Sequence, residues 1–193
     1  QGTIVENSVG AGKGDTPRKK VLLSFVGGRD PYNDKNNKEE HSLDIVPENV
    51  EPRPKNEWGS ILTICEHIQP DIVYLFPSCK EKNPEKNTEG NAEKVKAILL
   101  EKQGDQPSLL CNIWPMDIQD ATDFEEISVE MEKKIDAVLQ ELGDIARYEF
   151  HLNCSSGTQQ MAAVGYVFAN SGKIPEIKRW QCKDPERLRP REE

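Results

Sequence analysis

The chain has 193 residues, of which 35% are hydrophobic and 31% charged, and its formal net charge is −9. A chain of this length buries a core without metal or disulfide staples. Its acidity excludes the broad basic surface that long DNA or RNA requires, but one helix N-terminus with one or two cationic side chains can still hold a small anion.

Residues 1–19 are polar, rich in Gly, Lys and Thr, and without hydrophobic period, so they read as a flexible linker. The apolar run Val21–Val26, closed by Gly27-Gly28, predicts a buried first strand. Arg29–Asn56 is a polar excursion containing Pro31, Pro47, Pro52 and Pro54, with a short strand expected near Ser42–Val46. Helical spacing of Ile61, Leu62, Cys65 and Ile68 follows Trp58, and Pro70 stops that helix. Asp71–Phe76 is a second strand and Ser78–Asn87 a charged loop. Thr88 stands where a cap belongs for a helix reaching about Lys102, with Val95, Ile98 and Leu99 inward. Ser108–Trp114 is a third strand.

The clearest helical stripe is Phe124, Ile127, Met131, Ile135, Val138, Leu139 and Leu142, with Gly143 as its stop. Arg147–Leu152 is a fourth strand. Gly157–Asn170 is a helix with Met161, Val164 and Phe168 inward, Ile174–Cys182 a last strand, and residues 184–193 a charged tail. Strands alternating with helices predict one domain over residues 20–183. Its fold class is α/β: a Rossmann-like, doubly wound, mainly parallel sheet with helices on both faces. Ligands of such folds bind beyond the carboxyl ends of the strands.

The chemistry-bearing residue types exclude several classes. Cys65, Cys79, Cys111, Cys154 and Cys182 contain no CxxC pair and read as free thiols of a reducing compartment, which places the domain in the cytoplasm. His41, His67 and His151 are far apart and form no metal-ligand pattern. No apolar run is long enough to span a bilayer. Gly12-Lys13 mimics the end of a phosphate loop, but Asn7 and Gly14 break the motif and no strand precedes it. Cys154 lacks the arginine of a cysteine phosphatase, Ser155-Ser156-Gly157 lacks the form of a hydrolase elbow, and Gly27-Gly28 does not extend to GxGxxG. We therefore expect no catalytic residue, no metal and no cofactor.

Two segments remain. In Ser24–Tyr32, Gly27 and Gly28 let the backbone approach a ligand, Arg29 offers a planar donor fork, and Asp30 is placed to orient Arg29 or accept from a ribose hydroxyl. A tight turn with a surface salt bridge accounts for the same residues equally well. In Asn153–Met161, Ser155, Ser156, Gly157, Thr158, Gln159 and Gln160 open a helix directly after a strand. Free N–H groups, short hydroxyl and amide donors and the helix dipole favour an anion there. Plain N-capping is the simpler alternative, but two serines, a glycine and two glutamines exceed what a cap needs.

In this order and at these strand ends, Ser24-Phe25-Val26-Gly27-Gly28-Arg29-Asp30-Pro31-Tyr32 and Asn153-Cys154-Ser155-Ser156-Gly157-Thr158-Gln159-Gln160-Met161 together resemble the CARF family. These are the CRISPR-associated Rossmann-fold sensors of cyclic oligoadenylates in type III systems. The resemblance spans about Lys20 to Cys182. It implies a homodimer holding the cyclic second messenger, expected to be cyclic tetra-adenylate (cA4), across its two-fold axis. The implied ligand-binding residues are Ser24, Gly27, Gly28, Arg29, Asp30, Asn153, Ser155, Ser156, Gly157, Thr158, Gln159, Gln160 and Met161.

The resemblance further implies control of an attached antiviral effector, expected as a membrane module ahead of the linker that anchors the full-length protein at the inner membrane. The alternatives are a ring nuclease that cleaves the cyclic ligand and a nucleotide-responsive transcription regulator. Gln159 and Gln160 stand where cleaving relatives often carry a lysine, which disfavours the first. The absence of a helix-turn-helix segment disfavours the second.

Overall fold

A computed structural model describes residues 17–32, 57–79, 81–82, 84, 87–102 and 109–182. The predicted linker up to residue 16, the strand near Ser42–Val46 and the charged tail lie outside the described residues. The elements run β1 (Lys19–Phe25), α1 (Ser60–Ile68), β2 (Ile72–Phe76), α2 (Glu89–Glu101), β3 (Leu110–Ile113), α3 (Phe124–Leu142), β4 (Tyr148–Asn153), α4 (Gln159–Asn170) and β5 (Lys178–Trp180).

The strands form one five-stranded sheet in the order β3-β2-β1-β4-β5, and every pairing is parallel. The expected α/β, doubly wound architecture is therefore what the chain adopts. The central strands are apolar on both sides because both sides are covered. Leu22, Val26, Val73 and Leu75 pack with α1 and α2 on one face. Val21, Leu23, Phe25, Tyr74 and Phe76 pack with α3 and α4 on the other. The strand order reverses between β1 and β4. Their register pairs Ser24 with Asn153 at the carboxyl ends.

Three expectations are corrected. The last strand is only Lys178–Trp180, not Ile174–Cys182. Ile174 instead buries its side chain from the turn before the strand. Phe124 does not join the α3 stripe. As the first residue of the helix it is 48% exposed, because the core face begins at Ile127 and Asp123, whose carboxylate accepts from Glu125 and Glu126 N–H, provides the cap. Thr88 stands at the N-terminus of α2 but makes no side-chain cap bond. Its hydroxyl instead accepts from the Ser78 N–H at 2.9 Å.

Candidate functional site

The two loops expected to bind a ligand leave β1 and β4, the adjacent strands flanking the point where strand order reverses. Just past the strand ends they lean apart. Val26 N–H bonds to the Phe76 carbonyl at 3.3 Å, extending β1 toward β2. Cys154 N–H bonds to the Trp180 carbonyl at 2.9 Å, extending β4 toward β5. This opens the crevice that a doubly wound sheet offers a ligand.

The loops touch again at glycine. A Cβ on Gly27 would stand 2.8 Å from the Gly157 backbone nitrogen. Gly157 itself has φ +89, and a side chain there would meet the Met161 Sδ at 2.6 Å. Both positions therefore require glycine, one for close approach and the other for its left-handed backbone as well.

Asp30 fastens this contact. Its Oδ2 accepts from the Gly27 N–H at 2.8 Å and from the Ser156 hydroxyl in a very short contact, while Gly27 N–H also reaches Ser156 Oγ at 3.0 Å. Asp30 is 8% exposed and forms no ion pair among the described residues. Burial raises its pKa to about 6, although the bonds from Ser156 and Gly27 pull it down. Among the described residues Asp30 makes no ion pair with Arg29. It bonds to the two loops.

A second interior layer supports the first. Asn153 Nδ2 donates to Ser24 Oγ and to Ser60 Oγ, both at 3.0 Å, and its Oδ1 accepts from the Ser155 N–H at 2.9 Å. Ser24 donates to the Phe25 carbonyl, and Met161 is core. Ser24, Asp30, Asn153, Ser156 and Met161 are thus buried behind the surface. Gly28, Arg29, Gly157 and Gln159 are exposed, and Gly27, Ser155, Thr158 and Gln160 half-buried.

The Thr158 hydroxyl is already engaged. It accepts from Met161 N–H at 3.2 Å as the cap of α4 and donates to the Ala121 carbonyl at 2.6 Å. Ser155 Oγ accepts from the Cys182 N–H at 2.7 Å and keeps its own hydrogen. No hydrogen bond among the described residues uses the backbone N–H of Gly28, Arg29, Gly157 or Gln159. These N–H groups, the Ser155 hydroxyl, the exposed Arg29 fork and the positive end of α4 form a surface suited to an anion with several oxygens.

The structure adds residues that the sequence did not single out. Asn91 of α2 donates to the Gly27 carbonyl at 3.0 Å, Ser60 Oγ of α1 accepts from Asn153 Nδ2, and the Cys182 N–H donates to Ser155 Oγ. Cys154 is not available as a nucleophile, because its thiol is 3% exposed and burial pushes its pKa up. Among the described residues, no cluster of His, Cys, Asp or Glu could hold a metal ion, and no helix is long and apolar enough to cross a membrane.

Fold and site together define a Rossmann-like α/β domain with a glycine-tightened, donor-rich crevice between its first and fourth strands. No family model matches the chain, and no curated protein matches it in sequence. Among solved structures it is similar to Csm6 of Enterococcus italicus, in a structure bound to cyclic hexa-2'-fluoro-hexa-dAMP. The TM-score is 0.60 and the identity 21%, over 86% of this chain and 34% of that one. This chain thus spans about a third of that protein's length. At this identity the likeness establishes the shared fold.

Proposed function

We propose that this domain binds a cyclic oligoadenylate at the β1–β4 crevice and passes the signal to an effector. The observation that carries the reading is the set of N–H groups at Gly28, Arg29, Gly157 and Gln159 that have no partner among the described residues, beside the Arg29 fork and where β1 and β4 part. A neighbour in the same fold, held with a cyclic oligonucleotide, supports this choice of ligand over other anions. A ring of phosphodiesters presents repeated oxygens, and a second copy of the chain would offer the same loops from the other side. The expected assembly is therefore a homodimer with one ring on its axis, and the expected ring is cyclic tetra-adenylate. The effector, a membrane module in this proposal, belongs to the full-length protein. Among the described residues, those exposed in the crevice position and donate, and in this proposal the domain holds its ligand.

The test is a calorimetric titration with cyclic tetra-adenylate and cyclic hexa-adenylate, combined with chromatography for linear products and sedimentation for mass. Saturable binding of one ring per two chains without products is expected. Linear products would replace the sensor with a ring nuclease. Tighter binding of the hexa-adenylate would correct the ring size, and no binding of either ring would overturn the reading.

A further inference from the structure

Asp30 is the one buried carboxylate beneath the crevice, and the binding of an anion above it has a consequence for its proton. Its Oδ2 lies 2.8 Å from the Gly27 nitrogen and in contact with Ser156 Oγ, directly behind the loop atoms that face the ligand. Its other oxygen faces Gly59 at the start of α1, where an added Cβ would stand 2.9 Å from it. Among the described residues, the charged or titratable groups beside it are Arg29, next in the chain and exposed, and Cys182, whose thiol is pushed up by burial and then by the Asp30 charge. Neither forms an ion pair with it. A buried carboxylate with no cation beside it among the described residues, lying under a surface of anion-binding donors, is repelled by the ligand that this surface would attract.

Resting on the reading of the crevice as a cyclic oligoadenylate site, we propose that ligand binding is coupled to uptake of one proton by Asp30. Asp30 is thus a positioning residue that also adjusts the charge of the site. The coupling leaves the loops fastened. With Asp30 ionised, the Ser156 hydroxyl donates to Oδ2. With Asp30 neutral, the carboxyl hydrogen can donate to Ser156 Oγ, so the same pair of atoms stays in contact with the hydrogen bond reversed. Only the charge changes.

The free site's midpoint of about 6 places this exchange near neutrality, and a phosphodiester ring above Asp30 moves the midpoint upward. The sign follows directly. The bound state holds the proton more tightly, so affinity is greatest below the free midpoint. It falls as pH rises and levels off above the bound midpoint. One linked proton per chain, and so two per ring, sets a limit of about a hundredfold per pH unit. The phosphodiesters do not titrate in this range.

The experiment titrates the full chain with cyclic tetra-adenylate and cyclic hexa-adenylate at pH 5.5, 6.5 and 7.5, in buffers of different ionisation enthalpy. Wild type is expected to take up a large fraction of one proton per chain in the midrange and to bind the ring at least about tenfold more weakly at pH 7.5 than at 5.5. Asp30→Asn, a neutral isostere, is expected to abolish the uptake and to flatten the pH dependence of affinity, whatever its affinity. Carboxyl carbon NMR of wild type provides a readout independent of how the variant folds: the Asp30 midpoint shifts upward on adding ligand. Binding without proton uptake, an unmoved Asp30 midpoint, or uptake that persists in Asp30→Asn overturns this inference alone. No binding of either ring at any pH overturns the function proposal and this inference together.

Discussion

The same edge of the sheet carries two pairs of loops built in opposite ways. Beyond β2 and β3 the chains continue to zip. Trp114 N–H bonds to the Leu75 carbonyl at 2.8 Å, Met116 N–H to Pro77 at 2.7 Å and Cys79 N–H to Met116 at 3.0 Å, so Ser78 and Met116 form a bridge past the strand ends. Thr88 adds its hydroxyl to the Ser78 N–H. Beyond β1 and β4 the first residues turn to different neighbours, and the loops rejoin through two glycines and the Asp30–Ser156 pair. The first pair uses its backbone groups on itself and seals the edge. The second leaves N–H groups at Gly28, Arg29, Gly157 and Gln159 without partners among the described residues. The difference falls where the strand order reverses, between β1 and β4.

Substitutions sharpen this contrast, beginning with the largest effect. Gly157→Val places a branched side chain at φ +89 against Met161 and is expected to cost about 3 kcal/mol or more. A shift of the urea midpoint measures it, and an unchanged midpoint would mean that the glycine contact does not hold the loops.

Asp30 gives a pH-dependent effect of similar size. Its folded-state pKa of about 6 lies above the unfolded 3.8, so its contribution to stability is full below about pH 4 and is lost as pH rises through 6. An ionised, 8% exposed Asp30 then costs up to about 3 kcal/mol. The stability difference between Asp30→Asn and wild type should therefore move in favour of the variant between pH 4 and 7.5. Parallel pH profiles would refute the assignment.

Arg29→Ala is expected to weaken ring binding by about 1.5–3 kcal/mol while leaving the unfolding midpoint in place, because the side chain is exposed and unpaired among the described residues. Equal affinity would remove Arg29 from the site. At the sealed pair the pattern inverts: Thr88→Ala removes the acceptor of the Ser78 N–H, costs about 1 kcal/mol of stability and leaves ring binding unaltered. The smallest effect is a control at a glycine that touches nothing. Gly90→Ala, with no atom within 4 Å of the new Cβ, should stabilise α2 by about 0.5 kcal/mol. A loss there would show that the open space is filled in solution.

The sequence by itself determined the parallel α/β class and the position of both loops. Continuous runs such as Val21–Val26 and Asp71–Phe76, alternating with helical stripes, fit strands covered on both faces, and the 3.6-residue stripe from Ile127 to Leu142 fits a helix with one buried face. Tertiary structure decided which residues of those loops are exposed and which are buried. Ser24, Asp30, Asn153 and Ser156 look in sequence like exposed polar ligands, yet they are buried and bonded to one another across the chain. Tertiary structure also shortened the last strand to Lys178–Trp180, turned Thr88 from cap to loop tie, and brought in Asn91, Ser60 and Cys182. The physical reason is the range of the signals. Periodicity and turn chemistry are written in neighbouring residues, whereas Asp30 and Ser156 are 126 positions apart, and nothing local tells a hydroxyl whether its partner will be water, a ligand or a buried carboxylate.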